Sequence, residues 1–298
     1  MVPASNGGIM NFKKAALGLL ATAVLASCNN SSSSASTPAP DVQTKGCIKE
    51  SDLMKAGIVG GEKVSNYDVD SKKVVLLFAE DDEENMSICT STPIAPNVLL
   101  TAAHCLSKKH FVVFNSSISC ESGFNSEKHI GQVRFAFKHE SWDEDADTES
   151  NSANDVAIVI LEENIPSSYR VSKIARPSDV DFESGSVRFI GYGVTDYKAG
   201  GSGILRKTEI TIDKAKVDSG RNLVRIDQSG GQGVCSGDSG GPSLVKVNGE
   251  ERILGVNSVV GGSSKEKMCR QMAIQSLAAG HISWIETKLS MYNIDIKL

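Results

Sequence analysis

The chain has 298 residues, 40% of them hydrophobic and 22% charged, with a net charge of −5 at neutral pH. It carries no basic patch, and with an acidic balance this excludes a nucleic-acid-binding role resting on phosphate contacts. Seven cysteines and five histidines are the residues with most capacity for chemistry.

In chain order, Lys13 and Lys14 precede an apolar run from Ala15 to Ala26. The run is too short for a membrane-spanning helix and right for a signal peptide. Residues 1–9 add nothing to that signal, which makes Met10 a candidate initiator. The run closes with Leu25-Ala26-Ser27-Cys28, which resembles the lipobox of bacterial lipoproteins. Residues 1–27 are then a lipoprotein-type signal peptide, and a lipid on Cys28 anchors the chain without spanning the bilayer. Residues 28–40, rich in Ser with Pro38 and Pro40, read as a flexible tether.

From residue 58 onward short apolar runs alternate with Gly, Asn, Asp and Ser. Val74–Phe78, Ile94–Leu100, Phe111–Phe114, Asp155–Ile160, Val187–Ile190 and Ile253–Val256 all read as strands, the rhythm of an all-β protein. Two acidic runs, Glu80–Glu84 and Asp143 to Glu149, read as solvated loops, with a calcium site as the alternative for the second. Near the end, Ile282, Ile285 and Leu289 space one apolar stripe of a helix, with Trp284 beside it.

The stretch with most chemistry is Gly237-Asp238-Ser239-Gly240-Gly241-Pro242. A serine flanked by glycines sits on a tight turn, where the amides of Gly237 and Ser239 would aim at one developing oxyanion. A hydroxyl alone is a weak nucleophile, so it needs a base and an orienting acid. His104, in Thr101-Ala102-Ala103-His104-Cys105, and Asp155, at the head of a β-branched run, supply both types. His110, His129, His139 and His281 lack such company and read as ordinary surface or core residues. Zinc binding is the competing use of Cys and His, but no pair has ligand-like C-x2-4-C spacing.

These motifs resemble those of the chymotrypsin/trypsin family of serine proteases. Ile58-Val59-Gly60-Gly61 resembles the mature amino terminus, followed in family order by the His104, Asp155 and Ser239 boxes. Gly191-Tyr192-Gly193 is a further marker of the family. The resemblance covers residues 58 to about 290. It implies two antiparallel six-stranded β-barrels, about 58–165 and about 166–277, with the active site between them. A C-terminal helix, about 278–290, is expected against the second barrel, and residues 41–57 become a pro-segment.

The resemblance also implies roles. His104 is the general base, Asp155 orients it, and Ser239 attacks. Gly237 and Ser239 form the oxyanion hole. Asp238 would pair with an Ile58 ammonium freed by a cut after Gly57, making the uncut chain a zymogen. Cys89–Cys105 and Cys235–Cys269 match family disulfides; Cys47 and Cys120 remain for a third, although Cys120 departs from the usual partner position. With Cys28 set aside, six cysteines in pairs suit an oxidising compartment. No cofactor is implied, and a monomer acting on protein or peptide substrates at the bacterial cell envelope is expected.

Departures from the family pattern bear on specificity. Gly233 stands where trypsin-like members carry an acid, so a buried Arg or Lys side chain would go unpaired there. The pocket wall reads Ser258-Val259-Val260, and Val260 would narrow the pocket toward small side chains; Gly261 and Gly262 leave open a slipped alignment that widens it. Gly57 and Ala56 precede Ile58 in place of a basic residue, and a small-residue preference would let the enzyme cut its own junction in trans. The alternatives are a non-catalytic cell-surface binding lipoprotein on the same fold, and an esterase.

Overall fold

The computed structural model describes residues 58–81, 86–195, 202–264 and 267–298. The expected signal peptide and tether, with Cys28, Cys47 and Gly57, lie outside these residues. Strand β1 (Glu62–Lys63) comes first, then six strands: β2 (Val75–Glu80), β3 (Met86–Ala95), β4 (Val98–Thr101), β5 (Lys109–Val113), β6 (Ile130–Lys138) and β7 (Ala157–Leu161). They close a barrel in the order β2-β3-β4-β7-β6-β5, with β5 returning to β2. Closure leaves no unpaired edge. Pro93 lies within β3 where the register shifts between Pro93 and Ala95, a bulge that tolerates a residue without an N–H. The β-branched run at β7 is buried over its whole length. Leu244, Ile253 and Val256 from the second half of the chain join the same apolar cluster.

The second half contributes β8 (Ser186–Gly191), β9 (Arg206–Thr211), β10 (Ala215–Asp218), β11 (Leu223–Asp227), β12 (Pro242–Val247), β13 (Glu250–Gly261) and β14 (Met272–Leu277). With β1 they form one antiparallel sheet in the order β1-β9-β8-β12-β13-β14-β11-β10. The all-β, two-part architecture matches expectation, but hydrogen bonding gives eight strands here, not six. One extra strand is β1, delivered to β9 by the segment after Ile58. The other arises where a 3-10 turn at Ile212–Lys214 divides β9 from β10.

Three short helices complete the described fold: α1 (Ser126–His129), α2 (Thr148–Ala153) and α3 (Ile282–Ser290). The stripe Ile282, Ile285 and Leu289 is buried as expected, but it joins the cluster of the first barrel, not that of the second. The reason is aromatic: Tyr292, just past α3, packs on Phe135 at 4.7 Å and Phe137 at 5.2 Å of β6. Trp284 adds a contact with His139 at 4.9 Å.

A buried ionic cluster ties the amino-terminal segment to the second sheet. Asp70 receives Lys73 at 2.7 Å, Lys207 at 2.8 Å and Arg188 at 3.2 Å. Burial alone would raise the Asp70 carboxyl, but the bonds to Lys207 and Lys73 and the Arg188 charge hold it below the ordinary carboxylate range.

Candidate active site

Strand β4 ends at Thr101, and a 3-10 turn over Ala103–Cys105 presents His104. Because β4 runs antiparallel to β7, with Thr101 opposite Ala157, the residue two before Ala157 arrives beside that turn. It is Asp155, 1% exposed. Its Oδ1 accepts the His104 backbone N–H at 2.9 Å, and its Oδ2 lies 2.6 Å from His104 Nδ1. An ionised Asp155 therefore fixes the tautomer with the proton on Nδ1 and leaves the Nε2 lone pair free. Ser258 Oγ donates to the same Oδ2 at 2.5 Å.

Burial pushes the His104 imidazole down, but the Asp155 charge and hydrogen bond outweigh it and hold the group above its ordinary value. Burial likewise raises Asp155, and the His104 charge with the His104 and Ser258 bonds brings it below its ordinary value. The pair is thus set to carry a proton on the imidazole once one arrives at Nε2.

Ser239 is carried on the turn before β12 and is stitched to the first barrel. Its carbonyl accepts from the Thr90 N–H at 2.8 Å, and the Thr90 carbonyl accepts from Thr101 Oγ1 at 3.0 Å. Ser239 Oγ makes no hydrogen bond among the described residues, His104 Nε2 included. Such bonds are often unmade without substrate. The N–H groups of Gly237 and Ser239 are likewise unspent within the described residues, which leaves two donors for a ligand oxygen.

Asp238 is fully buried, accepting from Gly193 N at 2.8 Å and Cys235 N at 2.9 Å. No cation among the described residues reaches its carboxylate, and burial pushes it up to about 7 despite the two N–H bonds. Its position explains the Gly191-Tyr192-Gly193 marker. A Cβ at Gly191 or Gly193 would stand 2.3 or 2.5 Å from the Asp238 carboxyl group. Behind the turn, Asn257 Nδ2 donates to the Asp238 carbonyl at 2.9 Å, and Gln275 in turn donates to Asn257 at 2.5 Å.

Thr90 was not singled out from sequence. Its hydroxyl donates to the Gly237 carbonyl at 3.0 Å and accepts the Tyr192 N–H at 3.1 Å, a strap across the serine turn. No spacing signal marks it, because its partners lie far along the chain.

Among the candidate pocket residues, Val260 pairs with Ala273 and Val259 with Ile274 across β13 and β14. Val260 packs on a cluster of Val59, Val194, Cys235 and Cys269. Ile58 is fully buried, and Val59 is zipped to Gly233 by N–H to O bonds of 3.0 and 3.2 Å. The disulfides Cys89–Cys105 and Cys235–Cys269 are both present. Cys120 is also in a disulfide, whose partner lies outside the described residues.

The second acidic run departs from a plain loop. Asp147 caps α2, accepting from Glu149 N and Ser150 N, each at 3.1 Å. Glu149 pairs with Arg221 and Arg225, each at 2.8 Å, beside a surface cleft of about 480 Å³. Among the described residues the one grouping of three metal-type donors is Cys89, His104 and Cys105, already committed to the disulfide and to the Asp155 bond.

The sequence profile of the Trypsin family matches residues 58–278. The chain is 30% identical over 178 residues to brachyurin of Leptuca pugilator, covering 56% of this chain and 73% of that protein. It is 29% identical over 187 residues to cercarial protease of Schistosoma mansoni, covering 58% of this chain and 70% of that protein. Human chymotrypsin-like elastase family member 1 is 25% identical over 247 residues, covering 79% of this chain and 93% of that protein. An HL collagenase structure superposes with a TM-score of 0.63 and 18% identity, covering 81% of this chain and all of that one, which supports the fold. The chain belongs to the trypsin family of serine proteases.

Proposed function

We propose that the chain is an exported serine endopeptidase that cleaves peptide bonds through an acyl-enzyme on Ser239. The observation that carries this reading is the buried Asp155 clasping His104 Nδ1 at 2.6 Å, with Nε2 left available. Ser239 Oγ attacks the scissile carbonyl while His104 Nε2 takes its proton. The Gly237 and Ser239 N–H groups stabilise the oxyanion, and His104 then protonates the leaving amine. Water deacylates the serine by the same route in reverse. Protease and elastase relatives support a protein substrate.

Activation is part of the same proposal. A cut between Gly57 and Ile58 frees an ammonium group that pairs with Asp238, whose buried carboxyl has no cation of its own among the described residues. The absence of an acid at Gly233 and the presence of Val260 support small, uncharged residues on the acyl side of the cut. The two disulfides support export to an oxidising compartment. A lipid on Cys28 would hold a monomeric enzyme at the bacterial cell envelope.

A fluorophosphonate probe tests the catalytic reading, since only an activated serine reacts quickly. The protein cut before Ile58 takes the label and Ser239→Ala does not. Failure of the cut protein to label would favour the non-catalytic binding lipoprotein; labelling with cleavage of esters but not amides would favour the esterase.

A further inference from the structure

Gln228 follows β11 directly and is fully buried. Its Nε2 donates to the carbonyls of Val234 and Cys269, each at 3.1 Å, and its Oε1 accepts the Val234 N–H at 2.6 Å. Two carbonyls facing the nitrogen and one N–H facing the oxygen fix the orientation of the amide, since a flip would set like against like. Val234 adjoins Cys235 on the arm that leads to Ser239, and Cys269 lies on the opposite arm, joined to Cys235 by the disulfide. The carboxamide therefore bridges both arms at one level.

That level is where Gly233 faces. A Cβ at Gly233 would stand 2.2 Å from Gln228 Oε1 and 2.3 Å from its Cδ. Gly233 also has φ +150°, in the region that favours glycine. The space a side chain at position 233 would enter is thus already filled by a group from another strand.

We propose that the Gln228 carboxamide backs the floor of the primary specificity pocket behind Gly233 and so sets the length of side chain the pocket accepts. This rests on the peptidase reading above. The acid missing at Gly233 is replaced by a neutral amide whose N–H groups are both spent on protein carbonyls, so the floor offers neither charge for a basic side chain nor depth for a long one. Val260 would limit width; Gln228 limits length, and the two are separable with unbranched side chains.

The test uses the full chain after the cut before Ile58, and peptide anilides ending in 2-aminobutyrate, norvaline or norleucine. For the unaltered protein kcat/KM falls on the order of tenfold from 2-aminobutyrate to norleucine, and Gln228→Ala reverses that order. Equal turnover of the three by the unaltered protein, or an unchanged drop in Gln228→Ala, would overturn the inference. Fluorophosphonate labelling reports whether Gln228→Ala keeps its site. If it does not, Gln228→Asn replaces it, and the drop should move one methylene longer; an unmoved drop counts against the floor. If the unaltered protein takes no label, the peptidase reading itself falls, and the inference with it.

Discussion

Ser258 Oγ donates to Asp155 Oδ2 at 2.5 Å, on the same oxygen that holds His104 Nδ1 at 2.6 Å. One carboxylate oxygen is thereby shared by two donors from different halves of the chain. Removing the hydroxyl leaves more negative charge for the imidazole and loosens the carboxylate. Ser258→Ala should lower kcat on the order of tenfold, the scale of a hydrogen bond to a charged group. It should also raise the acid limb of the rate profile. Loss of substrate affinity with unchanged kcat would contradict the assignment.

His104 must be neutral to take the serine proton, and it is held above its ordinary value. Activity should therefore fall on acidification at a pH above that of a free imidazole. Asp155→Asn removes the charge that raises the group, so any remaining activity should keep its acid limb at lower pH. A pH series of kcat/KM on both proteins decides it.

Asp238 gives the uncut chain an unusual stability profile. Folded, it keeps its proton up to about 7, against an ordinary value of 3.8. The folded state therefore binds more protons within that window, and stability falls as pH rises through it. The shift corresponds to on the order of 4 kcal/mol. Urea unfolding of the uncut chain should show that slope, and Asp238→Asn should flatten it. After the cut, an ammonium at Ile58 should flatten it too; an unchanged slope would exclude that pairing.

Asp70 serves stability, not chemistry. Asp70→Ala removes the carboxylate shared by Lys73, Lys207 and Arg188, which still have Glu251 and Asp68 as partners. The expected loss is about 2 kcal/mol, read as a lower urea midpoint. Because its carboxyl is held below the ordinary range, this contribution is present at neutral pH and disappears on strong acidification.

Activation in trans, if the proposed cut occurs, would be visible on a gel. Ser239→Ala protein, with turnover reduced ~10^6-fold, should stay intact alone and be trimmed to Ile58 when active enzyme is added. An intact variant after that addition would assign the cut to another protease.

The sequence made His104, Asp155 and Ser239 legible because each sits in a short stretch whose neighbours have a local reason to be there. Gly191 and Gly193 were legible as a marker, while their reason, the Asp238 carboxyl group against them, was not. Ser258 read as pocket wall, and its bond to Asp155 needed two strands to meet. Thr90 and Gln228 were silent for the same cause. Thr90 reaches Gly237 across 147 positions and Gln228 reaches Cys269 across 41, and no local pattern records such a meeting. The terminal helix showed its apolar stripe but not its partner, which Tyr292 and the aromatics of β6 select.

The loop that carries Asp155 is held from the start of the terminal helix. His281 Nε2 lies 3.0 Å from the Ala153 carbonyl and 2.9 Å from Ser276 Oγ, which itself donates to Ala153 O. Ala153 stands two residues before Asp155. The His281 imidazole and the Ser276 hydroxyl therefore brace the loop that carries the aspartate. The aspartate thus depends on a residue 126 positions after it, so the catalytic histidine is held in place only when the two distant segments have folded together.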